Sequence, residues 1–477
     1  CGRFNSRRHK RTLPEDFRPI GTCRLFSILE GRKMTKKANE KTRSRREFLG
    51  TAAAAVAVPT VLTGRARGVT PPSDRINLGI IGVNGMGQQN LGNCAAYPDV
   101  VVRAVCDVST QRREKIVEKY KSTARGYRDY RELLARDDLD AVIIASPPHW
   151  HARMAVDAVE AGKDIYLQKP MTLYPAETIA VRNAVNRHNR ISQIGTQIHA
   201  GENYRRVVEW IRSGKLGPIR TVRTFNVMNQ GPDGIGRAPV ESPPEGLDWN
   251  FWCGPAPWRP FNELLYKDSY NHCSFWDYSG GWTPGMAPHI LDLPVWALGL
   301  GVPETTSCVG GRFVVDDDGD APDGQEVVWQ YNDVTVTWMM STYNSFAFDF
   351  GRGEPDRRLG IYFHALNATL YTNYSEHEIV PEGDMLADAT PPPHSIPPSP
   401  GHEREWLDCI KSRRQPSCNV NYHWKIDMAI NLANLSYRLG RSVRFDARKE
   451  RIVDDKEAIR LARPEYRGPW EFPAEYL

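Results

Sequence analysis

The feature that most constrains the fold is the stretch 75–107, RINLGIIGVNGMGQQNLGNCAAYPDVVVRAVCD. An apolar run from Ile76 to Val83 leads into clustered glycines, and a second run, Val100 to Val105, ends at Asp107. Runs of this length and composition belong to strands buried on both faces. The pattern predicts a parallel strand, a tight turn into a helix, and a second parallel strand. The turn is Gly82-Val83-Asn84-Gly85-Met86-Gly87, with Asn84 where a second glycine would complete the common pattern. Asn tolerates left-handed backbone better than most residues, and Gly85 follows at once, so the turn is retained. Such a turn brings backbone close to a pyrophosphate, and the helix start supplies N–H groups and a positive dipole end. Asp107 follows Gly82 by 25 residues, where a carboxylate accepts from ribose hydroxyls and repels a 2′-phosphate. The stretch therefore predicts a dinucleotide site that takes NAD in preference to NADP, with Arg112 and Arg113 close enough to soften the preference.

A chain of 477 residues has room for two or three domains and a large core. Its net charge of +5 does not describe a basic protein. Of 62 Lys and Arg, 17 lie in the first 70 residues, against only 5 of 57 Asp and Glu. The remainder is net acidic and offers no basic face for nucleic acid. The nine cysteines form no CxxC pair or metal-type cluster, so neither a disulfide framework nor a bound metal is expected.

Residues 1–33 are basic, lack periodicity and begin with Cys; they read as an extension that is disordered or not native, with translation starting at Met34. After Met34 come Lys36, Lys37, Lys41 and Arg43, then Ser-Arg-Arg-Glu-Phe-Leu (44–49) and an alanine-rich run from Thr51 to Leu62. Twin arginines before a short apolar run predict a twin-arginine leader over 34–70, and with it export to the periplasm by that machinery. The run is too short for a stable membrane span. Cleavage near 63–68 and retention of the leader as a tether are both open.

The dinucleotide domain is expected over 75–196. Its later strands are read at Ala141 to Ala145 and Asp164 to Leu167, and each delivers chemistry at its carboxyl end. The first ends in Ser146-Pro147-Pro148-His149-Trp150-His151, of which Ser146, Pro147, His149 and His151 are candidates to contact cofactor. The second ends in Gln168-Lys169-Pro170, where both side chains would reach the crevice. A lysine is ordinarily a solvated surface residue, and only this position argues for chemistry. A second domain follows over 197–477. It has an amphipathic helix at Glu202 to Ser213 and strands read at 219–228, 305–315, 326–329, 334–340 and 360–371, which suggest an open sheet with one covered face. Asp316 to Asp320 lacks the glycine and glutamate of a calcium loop and reads as a hairpin turn. The segment 247–282 is crowded with aromatic residues. These serve equally as core under a long loop or as stacking faces for a sugar, with Asn262 or His272 to hold hydroxyls.

These stretches together resemble the glucose–fructose oxidoreductase / inositol dehydrogenase family (Gfo/Idh/MocA), in particular its exported bacterial members. The matching pieces are GIIGVNGMG (79–87), SPPHWHA (146–152), AGKDIYLQKP (161–170), GTQIHAGENYRRVVEWIRSGKLGPIRTVR (195–223), WCGPAPWRPFN (252–262), GGWTPGMAPHILDLPVWALG (280–299), WLDCIKSRRQP (406–416) and YRLGRSVRFD (437–446), in the family's order. The resemblance implies an α/β chain: an N-terminal Rossmann domain, then an α+β domain whose open, mostly antiparallel sheet often makes homo-oligomer contacts. It implies NAD as cofactor and oxidation at a secondary hydroxyl of a sugar, polyol or glycoside. NAD-recycling glycoside cleavage and a non-catalytic sugar-binding protein are the alternatives. It places the chemistry on Lys169, as hydrogen-bond donor to the reacting oxygen, and on His289, as acceptor of the hydroxyl proton, with Asp292 in support. His289 and Asp292 are expected at a helix start after Pro288. Two departures stand out: the family's Glu-Lys-Pro is Gln168-Lys169-Pro170, and its aspartate four residues before the histidine is Gly285, with Ala287 between.

Overall fold

The structure, a computed structural model, describes residues 74–348 and 358–477, which belong to one compact unit. The extension expected over 1–33 and the leader expected over 34–70 lie outside the described residues.

Six parallel strands form the first sheet, in the order β3-β2-β1-β4-β5-β6. They are β1 (Ile76–Ile81), β2 (Val100–Cys106), β3 (Arg125–Tyr127), β4 (Ala141–Ile144), β5 (Asp164–Leu167) and β6 (Ser192–Ile194). β4 and β5 are buried at every residue, as strands covered by helices on both faces must be. The helices α1 (Met86–Ala95), α2 (Thr110–Lys119), α3 (Tyr130–Leu134), α4 (His151–Glu160) and α5 (Pro175–Arg187) connect them. Strand order reverses between β1 and β4, so a crevice opens beyond their carboxyl ends.

α6 (Glu202–Arg212) leads into the second layer. It buries Tyr204, Val207, Val208 and Ile211, one stripe at helical spacing. The large sheet has ten strands in the order β14-β13-β12-β7-β10-β9-β8-β15-β16, with β11 also paired to β7. These are β7 (Ile219–Asn229), β8 (Thr305–Gly311), β9 (Gly324–Gln330), β10 (Thr335–Ser341), β11 (Tyr343–Asn344), β12 (Leu359–Ala365), β13 (Ala368–Thr372), β14 (His377–Pro381), β15 (Val443–Asp446) and β16 (Arg451–Ile452). All pairings are antiparallel except β7 with β10. The patch of strand expected over 360–371 is a hairpin, β12–β13, and the strand expected to reach Val315 ends at Gly311. There Asp323 accepts from the N–H groups of Phe313, Val314 and Val315 and turns the chain.

Between β7 and β8 lie four short helices, α7 (Trp249–Cys253), α8 (Glu263–Lys267), α9 (Ser269–His272) and α10 (Trp276–Ser279), then α11 (Trp282–Leu298). Here the structure corrects the sequence reading: α11 starts six residues before Pro288, so His289 and Asp292 sit in mid-helix. Proline favours a first helical turn, but α11 is buried on nearly all sides, and tertiary packing tolerates Pro288 and Pro294 inside it.

The chain finally returns to the first layer. α12 (His402–Ser412) places Trp406, Leu407 and Ile410 in the same core as β1 and β2. α13 (Val420–Leu439) packs on α5, and Phe472 and Tyr476 join the core beneath α4. The division of the sequence near residue 196 is thus not a division of packing.

Candidate active site

The glycine turn does what its sequence requires, by a different residue than expected. Left-handed backbone occurs at Gly82 (φ 86°) and Gly85 (φ 46°), and Asn84 has no positive φ. A Cβ on Gly87 would lie 2.1 Å from the Gly82 carbonyl, and one on Gly82 would lie 2.6 Å from the Ala145 carbonyl. A Cβ on Gly85 would meet nothing within 4 Å. The turn is packed on its inner side and open on the other, where α1 starts without a side-chain cap and Gly87 N–H is tied back to the Asn84 carbonyl.

Asp107 locks this turn. Its two carboxylate oxygens accept from Val83 N–H (3.0 Å) and Ser109 N–H (2.9 Å). Burial raises its pKa, and these two bonds work against that. Each oxygen keeps a second lone pair for a ribose hydroxyl. Beside it the Arg112 guanidinium lies 3.7 Å over the Tyr266 ring and donates to the Tyr266 carbonyl. Arg112, Tyr266 and Leu265 make a slot next to Asp107 that sequence reasoning did not find, since Tyr266 is 159 residues away in the chain.

From this turn a cleft runs past the ends of β1, β4 and β5 to α9 and α11. Gly82, Asn84, Gly85, Met86, Asp107, Ser146, Pro147, Gln168 and Lys169 all line it. The Ser146 hydroxyl is buried with no partner among the described residues. An open glycine turn at an uncapped helix start, a half-satisfied carboxylate and an unpartnered hydroxyl fit a dinucleotide's pyrophosphate and ribose.

His149 and His151 do not line the cleft. His149 sits between the carbonyls of Trp252 (2.9 Å) and Tyr278 (3.4 Å), and burial pushes its pKa down to about 3. His151 bridges the carbonyls of Pro170 (2.6 Å) and Ser146 (2.8 Å), and burial lowers its pKa too. Both are braces: the 3₁₀ turn Pro148–Trp150 rolls the two rings inward, and His151 ties the Ser146 loop to the Lys169 loop.

Gln168 donates to Asn90 (2.6 Å), which anchors the end of β5 on α1. Lys169 leaves that end across the cleft, and its Nζ donates to the Gly285 carbonyl on α11 (2.6 Å). Removal of water around the amine lowers its pKa, and Cys273 opposes weakly. His289 lies one helical turn beyond Gly285 on the same face of α11. Its ring has no hydrogen-bond partner among the described residues, and Tyr374 approaches it edge-on at 6.1 Å. Burial, then the charge of Lys169, holds its pKa well below the usual histidine value.

Asp292 is not joined to this pair. Both its oxygens accept from His199 Nδ1 (3.0 Å each), and one also accepts from Tyr422 (2.7 Å). Asn262 caps α8 and donates to Asp318, so it too is absent from the cleft. His272 does line it, its pKa pushed down by burial to about 4. The aromatic segment divides: Phe251, Trp252 and Tyr266 wall the cleft, while Trp249, Phe261 and Phe275 are core.

A doubly wound sheet with a glycine turn at its switch point, and a cleft that runs from that turn past Lys169 to His272 and Gly285 of the second layer, defines a dinucleotide-dependent oxidoreductase fold; His289 lies one turn beyond Gly285 and is not among the lining residues. The chain belongs to the Gfo/Idh/MocA oxidoreductase family: residues 76–196 match its NAD-binding Rossmann fold and residues 221–472 its C-terminal alpha/beta domain. Among curated proteins it is similar to an alpha-N-acetylgalactosaminidase of Shewanella oneidensis, 29% identical over 159 residues, and to a glycosyl hydrolase family 109 protein of Shewanella pealeana, 26% identical over 162. Each match covers 32% of this chain, and the chain spans about a third (35%) of the length of these relatives. Among solved structures it resembles myo-inositol 2-dehydrogenase from Lactobacillus plantarum (TM-score 0.56, 15% identity, 78% of this chain and 100% of that one). It also resembles levoglucosan dehydrogenase in complex with NADH and levoglucosan (TM-score 0.54, 17% identity, 80% and 100%).

Proposed function

We propose that this chain is an NAD-dependent oxidoreductase acting on a secondary hydroxyl of a sugar, polyol or glycoside. The observation that carries the reading is Lys169 Nζ at the end of β5, crossing the cleft to α11 within the wall that begins at the glycine turn. Bound in that cleft, NAD supplies the hydride acceptor. The chain supplies the rest. Backbone of Gly82 to Gly87 and the start of α1 hold the pyrophosphate, and Asp107 takes ribose hydroxyls. Lys169 donates to the substrate oxygen and steadies its developing negative charge, and His289 takes the hydroxyl proton. Phe251, Trp252 and Tyr266 exclude water and offer faces to a sugar ring.

A second reading is favoured by the curated relatives, which carry glycosidase names. In it, NAD oxidises and then re-reduces the same substrate, and the net result is cleavage of a glycoside. The protein's export by the twin-arginine route is part of the proposal and rests on Ser44 to Leu49. So is homo-oligomer formation through the open face of the ten-stranded sheet, which exposes Val309 and Val328 on one side.

The test is to extract purified protein for bound dinucleotide and follow its reduction across a panel of sugars, polyols and glycosides. A keto product supports dehydrogenation, and a released sugar without net redox supports the second reading. Full activity in the Lys169→Ala, His289→Ala double variant would sink both.

A further inference from the structure

The end of β5 is tied to two other elements by a chain of side-chain hydrogen bonds whose direction is fixed from one end. Glu403, the second residue of α12, accepts at a single oxygen, Oε1, from Asn90 Nδ2 and Asn93 Nδ2 of α1, each at 3.0 Å. Asn90 Oδ1 accepts from Gln168 Nε2 at 2.6 Å, and Gln168 Oε1 accepts from the Lys169 N–H at 3.2 Å. Asn90, Gln168 and Glu403 are all buried, so bulk water does not repair a mismatch among them. An ionised carboxylate accepts and never donates, which turns the amide nitrogen of Asn90 toward Glu403 and its oxygen toward Gln168. Gln168 then meets Asn90 with its nitrogen, and its oxygen is left for Lys169. The far end agrees, because a backbone N–H only donates. A reversed Gln168 would set donor against donor at Lys169 and acceptor against acceptor at Asn90. The amide is held in place as well: it lies against Gly195, where a Cβ would come within 2.8 Å of its atoms. One order of bonds satisfies every group, and it requires an amide, not an acid, at position 168.

We propose that Glu403 is a positioning residue for the reaction, which acts through Asn90 and Gln168 to set the bonds that hold the Lys169 loop against α1. The inference rests on the oxidoreductase reading above and adds to it a residue that touches neither cofactor nor substrate. α1 starts at the glycine turn, and Lys169 crosses the cleft to Gly285. The chain of bonds therefore joins the dinucleotide end of the cleft to its substrate end, from a residue 313 positions beyond Asn90. In Gln168→Glu, two acceptors face each other at Asn90, or at Glu403 if the Asn90 amide turns over. The new carboxylate then swings toward the cleft and the Lys169 amine, and draws Nζ away from Gly285.

Four variants test this: Gln168→Glu, Glu403→Gln, the two together, and Glu403→Leu. Turnover of the best substrate of the panel above is measured at saturating NAD, well below the melting temperature of every variant, and the melting temperatures are recorded beside it. Gln168→Glu should lower kcat by about tenfold or more, and by more than it raises KM, since a reacting group is displaced. Glu403→Gln should cost less, because its amide oxygen still accepts from both asparagines. The pair should recover most of the rate lost in Gln168→Glu. Its amide at 403 turns its nitrogen toward Asn90, the chain runs in the opposite direction, and every donor again meets an acceptor. Glu403→Leu keeps the bulk and removes the acceptor. It should lower kcat by about tenfold although residue 403 lies outside the cleft wall. Wild-type kcat in Gln168→Glu or Glu403→Leu, with only the melting temperature lowered, makes the chain a scaffold and overturns the proposal. A pair no faster than Gln168→Glu overturns it too. Failure of the function reading looks different: the wild type itself turns over nothing in the panel, and the positioning role falls with it, while recovery of the melting temperature in the pair still shows the order of the bonds.

Discussion

The carboxylate of Asp292 receives His199 Nδ1 at 3.0 Å on each oxygen, and Tyr422 completes its shell, so this acid braces α11 against the 3₁₀ turn Gln197–Ala200 and against α13. Its side chain is fully buried. Asp292→Asn would leave His199 and Tyr422 with a poorer acceptor inside the core. A loss of about 2–4 kcal/mol in unfolding free energy is expected, read by denaturant titration. Dinucleotide content of the folded fraction should be unchanged. Intact stability with abolished turnover would return Asp292 to the reaction.

Asp107 has two duties that one substitution separates. Its bonds to Val83 and Ser109 shape the turn, and its remaining lone pairs face the cleft. Asp107→Ser should lower the melting temperature and also narrow the preference for NAD over NADP by about tenfold or more, measured as the ratio of dissociation constants. Arg112 beside it would then serve a 2′-phosphate. If the native protein binds NADP more tightly, the ribose assignment is wrong.

Glu177 should make the fold lose stability as the solution becomes less acidic. Its carboxylate, buried at the start of α5, accepts from Leu173 N–H, Tyr174 N–H and the Tyr466 hydroxyl. Burial nonetheless raises its pKa from 4.5 to about 7. Between those values the unfolded chain has released the proton and the folded chain keeps it, so stability falls as pH rises through that window and levels above it. Glu177→Gln should flatten this part of the pH–stability curve, measured by chemical denaturation from pH 4 to pH 8. A wild-type curve that is flat or rises there contradicts the argument.

The leader makes a separate claim. Changing Arg45 and Arg46 together to Lys should strand folded, cofactor-loaded protein in the cytoplasm, seen by fractionation and immunoblot. Normal export of that variant removes the twin-arginine reading, and with it the periplasmic localisation proposed here.

Much of the scaffold was legible along the chain because it depends on local patterns. Buried parallel strands are written as short apolar runs, so β1, β4 and β5 were found within a residue or two, and the turn between Gly82 and Gly87 announced itself by composition. Lys169 was legible because a residue at the carboxyl end of such a strand has only the crevice to enter. What the sequence could not decide was where side chains turn once two layers meet. His149, His151 and Asp292 are polar residues beside the cleft in sequence, and all three are drawn to buried carbonyls, a histidine or a tyrosine, because a polar group in a core must find a partner. α11 was misread at Pro288 because a local helix rule was overruled by burial on nearly every side. Arg112 was legible beside Asp107, but its pairing with Tyr266 was not, because nothing local joins residues 154 apart. The sequence by itself determined the strands, the turn and the chemical types available. Only the tertiary structure decided that Lys169 would face a carbonyl rather than a carboxylate, since that depends on which backbone atom of α11 a different layer brings to it.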